Sequence, residues 1–99
     1  MKVKMQSVHF DADGKLLSYI QKKVDKLSTF YDRITDGEVI LKLDNDGQNQ
    51  NKIVEFILYI PGEKLFAKER SVTFEAAADM AIERMKRQLK KYKQKKIGR

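Results

Sequence analysis

Residues 52–60, KIVEFILYI, are the most apolar stretch of the chain, with Val54, Phe56, Leu58 and Ile60 at every second position. A period of two marks a strand that turns one face to a core. Pro61-Gly62 follows at once and suits a tight turn, because proline presets its backbone angle and glycine tolerates positive φ. Residues 64–70 then return as a strand, and the two should pair as an antiparallel hairpin. A chain that contains this hairpin needs something to cover its apolar face.

The cover comes from two segments of helical period. Residues 14–31 repeat Leu16, Leu17, Ile20, Val24, Leu27 and Tyr31 at spacings of three and four, which predicts one apolar stripe. Asp11 or Asp13 can cap that helix by accepting its free amides. Residues 74–94 place Phe74, Ala78, Ala81, Ile82, Met85, Leu89 and Tyr92 on a second stripe, with Thr73 as cap. Residues 2–10 suit a first strand, with Val3, Met5 and Ser7 facing one way. Asp36-Gly37 reads as a turn, and residues 38–44 as a second strand with Val39, Leu41 and Leu43 on one face. Residues 44–51 read as a polar loop. The expected fold is α+β, β-α-β-β-β-α: a four-stranded sheet with both helices on one face and strands one and two parallel. Ninety-nine residues, with no linker or repeat, make this a single domain over 1–99.

Charge is distributed unevenly. The net charge is +7, yet residues 1–83 carry 12 Lys+Arg against 14 Asp+Glu. Residues 84–99 carry 9 Lys+Arg and no acid. This asymmetry suggests a polyanionic partner, and nucleic acid, an anionic membrane and an acidic protein all remain open on charge alone. Cysteine is absent, which excludes disulfides and thiolate metal sites. No run approaches the roughly 18 apolar residues of a membrane span, and Met1-Lys2-Val3-Lys4 opens no signal peptide. The expectation is a soluble cytoplasmic protein.

Signals for catalysis are weak. His9 is the only histidine and has no acidic or nucleophilic neighbour in its local sequence, so it reads as an exposed residue on a strand face or end. No paired carboxylates, phosphate loop or nucleophile elbow can be identified. Asp44-Asn45-Asp46-Gly47 starts like a calcium loop, but Asn49 stands where glycine is required and Glu55 lies inside a strand. Phe56, Phe74 and Tyr92 fit core stripes better than base-stacking platforms. The expectation is a protein that is not an enzyme, with no cofactor, metal or small-molecule substrate.

The basic residues stand out. Lys15, Lys22, Lys26 and Arg33 fall on one line of the first helix, away from its stripe, with Arg33 at or just past the end. On the second helix Arg84, Arg87 and Lys91 oppose the stripe, flanked by Lys86, Lys90 and Lys93. Two basic helix faces side by side would form one positive surface suited to phosphates, salt-dependent and largely blind to sequence.

Ordered landmarks carry a family resemblance. Lys26-Leu27 precedes the aromatic pair Phe30-Tyr31 and then Asp32-Arg33-Ile34. Val39-Ile40-Leu41-Lys42 and Leu65-Phe66-Ala67-Lys68-Glu69 follow as strands. Ala76-Ala77-Ala78-Asp79 then leads into Arg87-Gln88-Leu89-Lys90-Lys91-Tyr92-Lys93. Over nearly the whole chain this set resembles the ribosome hibernation-promoting and ribosome-associated inhibitor family, in its short, sigma-54 modulation protein-like form. It departs in having Thr73-Phe74-Glu75 where many members have Asp-Met-Tyr.

The resemblance implies a fold similar to double-stranded-RNA-binding domains and a non-enzymatic role. The partners it implies are the small ribosomal subunit with its 16S rRNA and the 70S ribosome, bound in the channel of messenger and transfer RNA so that translation stops. It assigns phosphate contacts to Lys22, Lys26 and Arg33 of the first helix and to Arg84, Lys86, Arg87, Lys90 and Lys91 of the second. Off the ribosome a monomer is expected, with no membrane partner. Long members add a domain that pairs two ribosomes, and one short type blocks pairing through an acidic extension. This chain ends at Arg99 with neither, which favours the pairing-compatible type. Two other readings remain: a general duplex-RNA module, and a protein-interaction domain whose basic helix docks an acidic or membrane partner.

Overall fold

The computed structural model describes residues 2–44 and 50–97. Its elements are β1 (Lys2–Val8), α1 (Gly14–Phe30), β2 (Asp36–Leu43), β3 (Lys52–Ile60), β4 (Glu63–Ser71) and α2 (Phe74–Ile97). The sheet order is β1-β2-β3-β4, with β1 and β2 parallel and the other two pairs antiparallel. This is the α+β arrangement that the sequence predicts, with both helices packed into the core of one sheet face.

Local chemistry explains the helix ends. Asp13 caps α1 by accepting from the Leu16 amide at 2.8 Å, and Thr73 caps α2 by accepting from the Ala76 amide at 3.0 Å. α1 stops one residue short of the predicted 31, because Tyr31 is extended (φ −148°, ψ 115°) and only its N–H still donates to the Leu27 carbonyl. α2 runs past the predicted 94. Nothing in Lys93-Gln94-Lys95-Lys96 opposes a helix, and the first glycine after Gly62 is Gly98.

Two strand boundaries differ from the sequence reading by two residues, the others by no more than one. β1 ends at Val8 rather than residue 10, because His9 takes φ 73° and turns the chain. That left-handed conformation is uncommon outside glycine, though histidine is among the residues that enter it most often. Beyond it Phe10 stacks on Phe74, ring centroids 4.7 Å apart, and so ties the β1–α1 connection to the start of α2. β2 begins at Asp36, not 38. Asp36 and Gly37 are ladder residues, paired with Lys2 and Val3 on one side and with Tyr59 and Leu58 on the other. Gly37 serves close packing instead of a turn: a Cβ there would lie 3.0 Å from both the Ile57 carbonyl oxygen and Leu58 Cδ2. The turn glycine is Gly62, at φ 78°. The polar loop and the calcium-like segment expected at 44–51 fall largely at 45–49, outside the described residues.

The core lies between the sheet and the helices. β2 contributes Val39 and Leu41, β3 contributes Val54, Phe56, Leu58 and Ile60, and β4 contributes Ala67. Leu16, Ile20, Val24 and Leu27 enter from α1, and Ala77, Ala78, Ala81, Met85 and Leu89 from α2. Among the described residues no polar or charged side chain is buried. The opposite sheet face has no helix. On it Glu55 sits between Lys42 and Lys68, at 2.9 and 3.8 Å, and Ile53 is buried between its register partners Lys42 and Arg70.

Both glycines test this packing. Gly37→Ala should destabilise by about 1–3 kcal/mol through overpacking against β3. Gly62→Ala should cost about 1–2 kcal/mol through its positive φ. In urea unfolding both variants should show a lower midpoint at unchanged slope. A Gly37→Ala midpoint equal to that of the parent protein would remove the close-packing account.

Candidate nucleic-acid interface

The two helices lie side by side and run the same way. Near their starts Tyr19 meets Asp79, and near their ends Phe30 meets Lys93. The seam between them changes character along its length. At the upper end the Tyr19 hydroxyl donates to both carboxylate oxygens of Asp79, at 2.9 and 3.0 Å, and Lys23 Nζ lies 3.5 Å from the same group. The hydrogen bond to Asp79 is the main reason the Tyr19 phenol titrates above its ordinary range, since ionisation would put two anions in contact. Lys23 also sits 5.4 Å from the Tyr19 ring centroid. The positive charge here is thus matched by Asp79.

Lower down, no such acid appears among the described contacts of the seam. Lys86 and Lys93 hold their ammonium groups 5.9 and 4.9 Å from the Phe30 ring centroid, and Lys93 also donates to the Phe30 carbonyl at 3.2 Å. Such cation–π contacts fix a charge without neutralising it. Helical spacing carries the cluster along both edges. Lys22 and Lys26 follow Tyr19 by one and two turns on α1, and Lys86 and Lys90 follow Asp79 by two and three turns on α2. The acids of α2, Glu75, Asp79 and Glu83, all belong to its first half. The only acid within α1, Asp25, holds Gln21 at 2.7 Å on the flank away from α2.

All eight residues singled out from the sequence are exposed: Lys22, Lys26, Arg33, Arg84, Lys86, Arg87, Lys90 and Lys91. They do not form one line. Lys22, Lys26, Lys86 and Lys90 border the seam, and Arg87 stands on the outer crest of α2. Arg84 and Lys91 lie on its far flank, toward β4, where Arg84 pairs with Glu69 at 2.7 Å. Arg33 lies in the turn after α1, beyond the helix. Lys23 is not among those eight, yet the structure places it in the seam beside Asp79. Phe30, which the core stripes leave unplaced, falls in the seam, and Tyr19, Lys23, Lys26 and Phe30 recur at spacings of four, three and four. Arrayed amines and guanidiniums of this kind can neutralise backbone phosphates over a broad surface. Among the described residues no three His, Asp or Glu side chains gather where they could hold a metal ion. Among the described residues no helix is long and apolar enough to cross a membrane.

Comparison with known proteins places this geometry in a family. Residues 3–97 match the family model described as sigma 54 modulation protein / S30EA ribosomal protein. A ribosome hibernation promoting factor of Pseudomonas putida is 32% identical over 95 residues, covering 96% of this chain and 89% of that protein. One from Azotobacter vinelandii is 29% identical, covering 100% and 89%. In fold, the chain superposes on a ribosomal subunit interface protein from Coxiella burnetii with a TM-score of 0.84. That match has 24% identity and covers 94% of this chain and 98% of that one. The N-terminal domain of Thermus thermophilus Protein Y gives a TM-score of 0.80 at 24% identity, covering 93% and 99%. The chain therefore belongs to the sigma 54 modulation protein / S30EA ribosomal protein family.

Proposed function

We propose that this protein is a ribosome hibernation factor, a single ribosome-binding domain that seats the basic seam of α1 and α2 on 16S rRNA of the small subunit. There it occupies the path of messenger and transfer RNA and halts translation. The observation that carries this reading is the gathering of Lys22, Lys26, Lys86 and Lys90 along one exposed seam, with Arg87 and Arg33 continuing it. The names of its relatives, ribosome hibernation promoting factors, support the ribosome as the target. Arg84 and Lys91 extend the surface toward β4.

The energetics favour such a partner. Ribosomal RNA offers closely spaced phosphates, and each one neutralised releases condensed counterions, so affinity falls with salt in proportion to the number of contacts. The cations are exposed and stand clear of the core, so they can be changed without unfolding the protein. Recognition by helix faces reads the shape and backbone of folded RNA, with little dependence on base identity. Occlusion of a channel needs no chemical step.

Two measurements test the reading. Co-sedimentation with 70S ribosomes should weaken as salt rises and should be competed by messenger and initiator transfer RNA. The variant Lys22→Glu, Lys26→Glu, Lys86→Glu, Lys90→Glu should lose more than a hundredfold in ribosome affinity while its melting temperature stays within a few degrees. Ribosome binding that survives the four reversals would reject the seam as the interface. Equal affinity for free duplex RNA at matched salt would instead favour a general duplex-RNA module.

A further inference from the structure

A cleft of about 610 Å³ opens below the end of α1, within the roughly 300–1,000 Å³ of small-ligand sites. Phe30 walls it from the end of α1, Tyr31 from the residue just after, Pro61 from the β3–β4 turn and Tyr92 from α2, while Arg33 and Lys93 lie among its lining. The walls are fixed by contacts of their own. Tyr31 and Tyr92 meet edge to face at 5.9 Å, the Tyr92 hydroxyl donates to the Pro61 carbonyl at 3.1 Å, and Lys93 is anchored on Phe30. Burial, followed by the nearness of Tyr92, raises the Tyr31 phenol above its ordinary range.

We infer that this cleft takes one unstacked nucleoside phosphate, with the base against the aromatic walls and the phosphate on Arg33 and Lys93. The inference rests on the RNA-binding reading above and adds to it a site that the helix faces do not provide. A bare anion gains nothing from Phe30, Tyr31 and Tyr92, and a purely apolar ligand gains nothing from two cations. A nucleotide uses both, because every base has a π-face and every nucleotide a phosphate. Folded RNA supplies such units at bulges and loops, where bases are splayed out of the stack. The cleft shares Phe30 and Lys93 with the basic seam. Asp32, which also lines the cleft, offers an acceptor for a ribose hydroxyl or an exocyclic amine.

The test is an NMR titration of the full chain with the four ribonucleoside 5′-monophosphates, with ribose 5-phosphate and inorganic phosphate as controls at fixed ionic strength. The expected result is saturable shifts of the Phe30, Tyr31 and Tyr92 ring signals, with at least tenfold tighter binding of a nucleotide than of phosphate. Thr29→Trp, at an exposed residue of the lining, should fill the cleft and abolish those shifts. Arg33→Gln should weaken binding several-fold without filling it. A trinucleotide that binds more tightly than its mononucleotide would identify the source as an RNA chain, and the reverse order a free nucleotide. Equal shifts with phosphate, or shifts that persist in Thr29→Trp, would overturn the inference. Ribosome co-sedimentation of the unmodified protein reads the parent function separately: binding there with no nucleotide response removes the cleft alone, and a nucleotide response without ribosome binding removes the function alone.

Discussion

The packing around Phe56 is the constraint on which the rest of the structure depends. Phe56 is fully buried on β3, flanked across the ladders by Val39 and Ala67. In the helix that covers β3 and β4 the first fully buried residues are Ala77, Ala78 and Ala81, and larger ones follow at Met85 and Leu89. Small residues on both the neighbouring strand and the covering helix leave room for one large ring. With α2 held close to the sheet by its alanines, α1 fills the remaining half of the face through Leu16, Ile20, Val24 and Leu27. The helices are thereby brought side by side, and the seam between them exists because of this division of the core.

The same arrangement settles the electrostatics. α2 is acidic in its first half and basic in its second, which is the order that its own dipole favours. Glu75 and Asp79 lie near the positive end of the helix, and Asp79 is further engaged by Tyr19 and Lys23. The cations accumulate toward the negative end, where the helix itself offsets part of their mutual repulsion. α1 supplies its lysines on the flank that faces α2 and keeps Asp25 on the other. Binding charge and helix stability therefore point in the same direction, and the surface carries its excess of cations without any of them being buried.

Much of this was legible in the sequence, and the reasons differ by element. β3 and both helices declared themselves by period, and Asp13 and Thr73 marked the helix starts. The boundaries that misled were set by distant contacts. Gly37 resembles a turn residue locally, but the approach of Ile57 and Leu58 gives it its role. His9 ends β1 through a backbone angle that no neighbouring residue announces. For the interface, spacing alone showed which residues leave the apolar stripes and would be exposed. It could not say which flank of α1 faces α2, and so could not place Lys23 and Phe30 in the seam. Nor could it foresee that Arg84 pairs with Glu69, whose position opposite depends on the register of β4 against α2.

The contacts between α2 and β4 have a second effect, on the edge of the sheet. β4 is an edge strand, and a bare edge is a template onto which another chain can add. Here Gln88 donates its amide to the Phe66 carbonyl at 2.8 Å, and the Arg84–Glu69 pair lies close by. Lys64, Lys68 and Arg70 add charge along the same strand. One acceptor near the middle of the edge is already occupied, and charged side chains stand on either side of it. The helix that presents the cations thus also covers part of the β4 edge, so one element serves both the outer surface and the rim of the sheet.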